Sequence, residues 1–284
     1  MGKYKKILVA VDGSESSKNA LRQAIKLANS EESWITVVTV IPPYEGDLAL
    51  TAVGNIREAM REPCERALLE AREIAKAERT LIKTVCEEGE IHERIVDLAD
   101  AENCDLIVMG RKGRSQVERV LIGSVTARVI GYSQRDVLVV PGGTALGWKN
   151  IFLNTDGSKY SEAATDKAIN FAKSYGGNLM VVSVVDVTEE FMARAPGLVE
   201  EMVKKARGFV KDVKKKAEAS NINAITFVRE GEAYRVITNL AREHKADVIV
   251  IGSHGRTGLK RLLMGSVTEK VIGYAPCPVL VVKP

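Results

Sequence analysis

The sequence predicts an α/β protein built from two tandem, five-stranded, parallel doubly wound domains of Rossmann-like type, each with strand order 3-2-1-4-5. Three observations predict it. Short apolar runs such as Ile7-Leu-Val-Ala-Val11 alternate with segments whose apolar residues recur at helical spacing, the pattern of a parallel sheet covered on both faces. The whole order of elements then occurs a second time: residues 123–140 and 265–282 are identical at 12 of 18 positions, a duplication too long in period for a solenoid. A chain of 284 residues also accommodates two domains of roughly 100–200 residues each.

Taken in order, residues 7–11 read as a buried strand that stops at Asp12-Gly13-Ser14, with Ser14, Ser16 and Ser17 as helix N-cap candidates. Ala20, Leu21, Ala24, Ile25 and Ala28 mark the first helix. Residues 34–41 form a second strand, closed by Pro42-Pro43, and the stretch from 42 to about 63 shows no clean period. Pro63 suits the first turn of a helix running to about residue 77. Strands follow at 81–86, 105–109 and 137–140, with helices at about 91–99 and 124–132 between them. Residues 142–147, Gly-Gly-Thr-Ala-Leu-Gly, break the pattern and read as a linker, so the domains are set at 1–142 and 148–284. The second half repeats the set with strands at 151–155, 179–185, 222–228, 247–251 and 279–282, an irregular stretch at 186–197 and a long helix at 198–219.

Bulk composition excludes several classes. No apolar run approaches the ~18–20 residues of a membrane span, and Met1-Gly-Lys-Tyr-Lys-Lys6 leads straight into a strand without the apolar stretch of a signal peptide. A net charge of +4 argues against a dedicated nucleic-acid binder. The basic run between Lys204 and Lys216 is interrupted by Asp212 and reads as a solvated helix face. Cys64, Cys86, Cys104 and Cys277 form no C-x-x-C pair, and Cys86 and Cys104 read as buried small hydrophobes. This usage fits a reducing cytoplasm.

The chemistry concentrates in a stretch that the chain carries twice. The first copy is Gly110-Arg-Lys-Gly113, nine residues, then Gly123-Ser124; the second is Gly252-Ser-His-Gly255, nine residues, then Gly265-Ser266. Each follows an apolar run and opens a helix. A strand, a glycine-rich turn and a helix start together bind phosphate, because backbone N–H groups converge on the anion and the helix dipole adds partial positive charge. In a doubly wound sheet, ligands bind beyond the strand ends where strand order reverses. Asp12 and Gly110 therefore share one crevice, and Asp156 and Gly252 another. The two aspartates read either as ligands or as helix caps. Arg111, Lys112 and Arg114 either strengthen phosphate binding or face solvent. No residues have the spacing of a metal cage.

These residues resemble the universal stress protein family in tandem form, over nearly the whole chain. The resemblance rests on the opening K-x-I-L-V-A-x-D-G-S, on Asp-Leu-Ile-Val-Met-Gly at 105–110, on G-x2-G-x9-G-S and on the ending GSV-x3-VI…VLVV. It implies adenine-nucleotide binding, with ATP, ADP or AMP as ligand. Asp12 and Asp156 would contact ribose or a phosphate-bound metal, and Val40 and Val184 would offer backbone groups to adenine. Gly110, Gly113, Gly123 and Ser124, and Gly252, Gly255, Gly265 and Ser266, would hold ribose and phosphates. A Mg²⁺ would complete its shell with the nucleotide's own oxygens. The second copy, Gly252-Ser-His-Gly-Arg-Thr-Gly258, is closer to the family pattern, because the first has Gln116 where the third close glycine falls. The last-strand approach differs too: Ala275-Pro-Cys-Pro278 is family-like and Ser133-Gln-Arg-Asp136 is not.

The function expected is that of an ATP-binding regulatory protein of the stress response, with nucleotide as a conformational ligand and protein partners unidentified. The alternatives are a slow ATPase and a ligand-free, chaperone-like module. No P-loop or other nucleotide-enzyme signature is present, so the chain is not read as an enzyme beyond weak ATP hydrolysis. The resemblance further implies pairing through the fifth strands. Residues 137–140 and 279–282 would then pair within one chain as a pseudo-dimer, covering each other's edges; assembly of whole chains is left open.

Overall fold

The computed structural model describes residues 4–43, 56–113, 122–255 and 264–284. Strands β1 (Lys6–Ala10), β2 (Trp34–Ile41), β3 (Lys83–Glu88), β4 (Leu106–Gly110) and β5 (Asp136–Val140) belong to the first copy. Strands β6 (Asn150–Asn154), β7 (Asn178–Asp186), β8 (Ala224–Gly231), β9 (Val248–Gly252) and β10 (Val279–Val282) belong to the second. All ten form one sheet in the order β3-β2-β1-β4-β5-β10-β9-β6-β7-β8. Every pairing within a copy is parallel, and the order 3-2-1-4-5 holds in both. The copies join where β5 and β10 run antiparallel, with Leu138 opposite Leu280. The fifth strands thus cover each other, as the resemblance implies, and among the described residues leave β3 and β8 as the sheet edges.

Alternation along the strands sorts side chains into two apolar layers. Ile7 and Val9 face one layer, while Leu8 and Ala10 face the other. The first layer is closed by α1 (Glu15–Glu31), α2 (Ile56–Ala77), α5 (Lys159–Tyr175) and α7 (Pro196–Glu218). The second is closed by α3 (Ile91–Ala101), α4 (Ser124–Tyr132), α8 (Ala233–Glu243) and α9 (Ser266–Tyr274). Each layer runs through both copies, so the core is continuous across the junction. On α7, Ala206, Val210, Val213 and Ala217 are buried, which leaves its lysines to the solvated face expected of them.

Polar contacts lock the junction. The buried Asp136 carboxylate accepts from the Tyr4 hydroxyl at 2.9 Å, from the Lys283 backbone N–H at 2.9 Å, and pairs with the Lys167 ammonium at 2.9 Å. Trp148 stacks on Phe171 with centroids 3.9 Å apart. The Tyr175 hydroxyl donates to Glu31. Asn19 Nδ2 on α1 holds the carbonyls of Pro141 and Thr144 at 3.1 and 2.9 Å, so the segment leading into the second copy is fastened to the first.

Five expectations need correction. The third strand of the first copy begins at Lys83, not 81, and Leu81 is 92% exposed. Arg79, at φ 54°, and the bond from Thr80 N to Ala75 O end α2 there, and the next residues climb to the sheet edge before pairing begins. The third strand of the second copy is likewise shifted, to Ala224–Gly231. Helix α2 does not start at Pro63 but contains it; the buried stripe Cys64, Leu68, Ala71, Ala75 seats the helix on the sheet despite the lost backbone bond. The stretch at 186–197 is not irregular throughout: Thr188 caps a short helix, α6 (Glu189–Arg194), by accepting from Phe191 N. Finally, Cys86 is not a buried thiol but an exposed partner of Cys64 in a disulfide that ties α2 to β3, which weakens the cysteine argument for a reducing compartment. No described helix is long and apolar enough to cross a membrane.

Candidate functional site

The first copy's site lies where β1 and β4 leave the sheet side by side. After β1 the chain turns at Asp12, whose Oδ1 accepts from Ser14 N at 3.0 Å and Ser14 Oγ at 2.6 Å. Ser14 is the N-cap of α1, accepting from Ser17 N at 3.2 Å. Asp12 is therefore not the cap; it braces the residue that is. The second copy repeats this: Asp156 Oδ1 accepts from Ser158 N at 3.0 Å, and Ser158 caps α5.

Opposite the aspartate, each glycine has a steric reason. A Cβ on Gly110 would lie 2.6 Å from Ser16 Oγ and 2.9 Å from its backbone carbon, and one on Gly113 would lie 2.6 Å from Asp12 Oδ2. In the second copy, a Cβ on Gly252 would meet the Tyr160 backbone at 2.7 Å and one on Gly255 would meet Asp156 Oδ2 at 2.9 Å. These glycines let the loop approach the strand-one turn closely. Gly123 and Gly265 stand at the N-caps of α4 and α9. They offer no side chain to the first-turn N–H groups, which are the donors an anion takes. Each loop is clamped shut by a backbone bond, Gly123 N to Arg111 O at 2.9 Å and Gly265 N to Ser253 O at 2.9 Å.

These elements wall a cavity of about 580 Å³ in the first copy, within the range of small-molecule sites. Six predicted residues line it: Asp12, Val40, Gly110, Gly113, Gly123 and Ser124. Sequence reasoning did not single out the apolar wall, contributed by Thr39 and Ile41 on β2, Pro63 and Cys64 on α2, and Ile91 and Ile95 on α3. It also missed Thr126, whose hydroxyl donates to Gly110 O at 3.1 Å, and Thr268, which does the same to Gly252 O at 2.9 Å. The shared Gly-Ser-Val-Thr of both copies was the available signal.

Of the loop cations, Lys112 lines the cavity, whereas Arg111 turns away from it. Its guanidinium donates to the carbonyls of Gly273 and Ala275, at 3.0 and 3.4 Å, at the C-terminal end of α9. Burial there lowers its pKa. Arg114 and Gly258 lie outside the described residues. In the second copy, His254 Nδ1 is 3.2 Å from Ser253 Oγ, and its ring lies 5.2 Å from that of Tyr160. Val184, the half-buried counterpart of Val40, lies on β7 two residues before its end at Asp186. Cys104 and Cys277 are buried, and burial pushes their thiols up to about 11 and about 12, far from nucleophilic use. Among the described residues no three His, Cys, Asp or Glu side chains gather as metal ligands.

The arrangement can hold a ligand with an apolar ring at one end and anionic oxygens at the other. Comparison with known proteins points the same way for the fold. The model of the universal stress protein family matches residues 3–141 and again 147–283. A universal stress protein of Mycolicibacterium smegmatis is 26% identical over 98% of this chain and 97% of its own length. One from Methanocaldococcus jannaschii is 42% identical over 48% of this chain and 82% of its own. The crystal structure of a universal stress protein from Archaeoglobus fulgidus superposes with a TM-score of 0.73 at 22% identity, covering 98% of both chains.

Proposed function

The chain belongs to the universal stress protein family, two family domains in tandem, and from that premise we propose that its first copy binds an adenine nucleotide as a regulatory ligand. The observation that carries the reading is the cavity of about 580 Å³ that gathers Asp12, Val40, Gly110, Gly113, Gly123 and Ser124 around one opening. The base lies on the apolar wall of β2, α2 and α3, with the β2 end at Val40 offering its backbone. Ribose reaches the Asp12 turn. The phosphates meet the loop N–H groups, Lys112 and the start of α4. When Mg²⁺ accompanies ATP it is held by the phosphates, with the Asp12 carboxylate as the neighbouring anionic group.

The same geometry supports binding rather than turnover as the purpose of the site. Phosphoryl transfer requires positioned cations and a group that orients the nucleophile, and Asp12 Oδ1 is engaged by Ser14. Helix α2, the next described element after β2, supplies part of the wall through Pro63 and Cys64, so a bound base bears on the position of α2. That is how ligand state reaches the surface, where a stress-response partner would read it. Mass spectrometry of ligand released from freshly purified protein, followed by calorimetry of the stripped protein with ATP and Mg²⁺, is the test. Release of an adenine nucleotide and saturable rebinding are expected. Absence of binding rejects the reading, and steady turnover above about 1 s⁻¹ replaces it with an enzyme.

A further inference from the structure

The disulfide between Cys64 and Cys86 sits where the sheet meets the cavity. Cys64 lines that cavity beside Pro63, and Cys86 lies on β3 directly opposite Thr39 of β2, another lining residue. The bond thus ties the cavity wall on α2 to the edge strand of the sheet. Its two ends differ in access: Cys64 is 2% exposed, whereas Cys86 is exposed. Pro63 removes one backbone bond of α2 just before Cys64, and Cys64 opens the buried stripe, with Leu68, Ala71 and Ala75, that seats the helix. The disulfide therefore fixes the part of α2 that reaches the cavity. Farther along, Arg72 of α2 donates to Thr84 Oγ1 of β3 at 2.6 Å, which keeps the rest of the helix on the sheet with or without the bond. The fold itself does not require the bond. Aligned through the glycine loops, the second copy has Ala206 and Val228 at these positions, and the same helix and strand form there. A reduced Cys64 also keeps a partner, because its Sγ is 3.9 Å from the Thr39 carbonyl oxygen.

We propose that Cys64 and Cys86 form a thiol–disulfide exchange site, opened at Cys86 by a low-molecular-weight thiol, whose redox state sets the affinity of the cavity for nucleotide. The affinity half rests on the function proposed above. In the exchange, a thiolate attacks the exposed Cys86 Sγ, the Sγ–Sγ bond breaks, and Cys64 leaves with the electron pair and is protonated. A second thiol then attacks the sulfur of the small molecule, frees Cys86 as a thiol and departs in the small-molecule disulfide. Two electrons and two protons pass from two small thiols to the two cysteines. Cys104 and Cys277 are buried in the opposite apolar layer, so neither competes for the exchange. Bonded, the pair holds Pro63 and Cys64 in place for the base. Opened, it frees this part of α2, and binding must then order it again. The coupling is reciprocal: a ligand that prefers the bonded form makes the bond harder to reduce.

Equilibration of the full chain in glutathione buffers of graded ratio, followed by alkylation and mass spectrometry, tests the exchange. Calorimetric titration of the stripped chain, oxidised and reduced, with ATP and Mg²⁺ tests the coupling. Reduction should add two labels in one two-electron transition, both mapped to Cys64 and Cys86. It should weaken nucleotide binding about fivefold or more. Saturating ATP should lower the midpoint potential by about 20 mV, the equivalent of fivefold in a two-electron couple. Cys86→Val, which installs the residue of the second copy, should bind with the weaker affinity in oxidising and reducing buffer alike, and Cys86→Ser should match it. A chain that gains no labels across the buffers overturns the inference. So do equal affinities of the oxidised and reduced forms, or a Cys86→Val chain whose affinity still follows the buffer. Each of these leaves the proposed function standing. A chain that binds no nucleotide in either state overturns both.

Discussion

The described ends of the first and second glycine loops make the same backbone contacts in different surroundings. Both are clamped by a bond from the N-cap glycine to the residue after the strand, both are braced by a threonine hydroxyl at 3.1 or 2.9 Å, and both press a glycine on an aspartate. Yet the first stands beside the cavity that Pro63 and Cys64 help to line, whereas the second has Gly252 against the Tyr160 backbone and His254 beside the Tyr160 ring. The difference teaches that a glycine motif specifies how close the chain can come to its neighbours, while side chains from other helices set what stands against it. The junction shows the same asymmetry. Asp136 gathers Tyr4, Lys167 and Lys283, and its counterpart Pro278 has no side-chain acceptor to offer.

The largest effect should come from that junction. Replacing Asp136 by alanine strands the fully buried Tyr4 hydroxyl and the Lys167 ammonium and should cost about 3 kcal/mol of unfolding free energy in urea titration. Pro278→Ala, at the matching position, should cost about 1 kcal/mol. Equal losses would mean that the two ends of the junction are interchangeable after all.

Next come the strand-end glycines. Gly110→Val drives its side chain into the Ser16 backbone and should weaken nucleotide binding by about 100-fold, near 2.7 kcal/mol. Gly252→Val meets Tyr160 instead and should leave the affinity of the first copy within about twofold while lowering the melting temperature. Matching affinity losses from the two variants would contradict the asymmetry.

The smallest effect is a pH dependence found at one end of the junction. Lys283, whose counterpart is Pro141, sends its ammonium to the Ile130 carbonyl of α4. Burial lowers its pKa from 10.5 to about 8, opposed by Asp136. Between those values the unfolded chain holds a proton that the folded chain has lost, so this group's contribution to stability is least below pH 8 and rises as pH climbs toward 10.5. Relative to Lys283→Met, the wild type should gain about 2 kcal/mol by about pH 10. A difference between the two proteins that stays flat with pH would exclude it.

Much of this was legible in residues. The alternation of apolar runs and helical spacings located all ten strands, because a parallel sheet buried on both faces demands continuous apolar segments. It misplaced the edge strands β3 and β8, whose half-exposed residues lack that demand. The Gly-Arg-Lys-Gly and Gly-Ser-His-Gly spacing identified both loops, since close backbone approach leaves glycine as its mark. Arg111 was not legible. Beside a phosphate loop it reads as a phosphate ligand or a solvent-facing cation, and only packing of the second copy against the first brings the α9 carbonyls within its reach.

What the sequence by itself determined is therefore periodic or repeated: the α/β class, the duplication, the strand order within each copy and the residues that must be glycine. What the tertiary structure decided is every contact between segments far apart in the chain. It joined the copies through β5 and β10, turned the atypical Asp136 into a buried anchor, bonded Cys64 to Cys86 and laid Phe209 on Gly157. Local pattern records the backbone and solvent environment of each residue. Which side chain fills a given space depends on helices that meet there only after the sheet has formed.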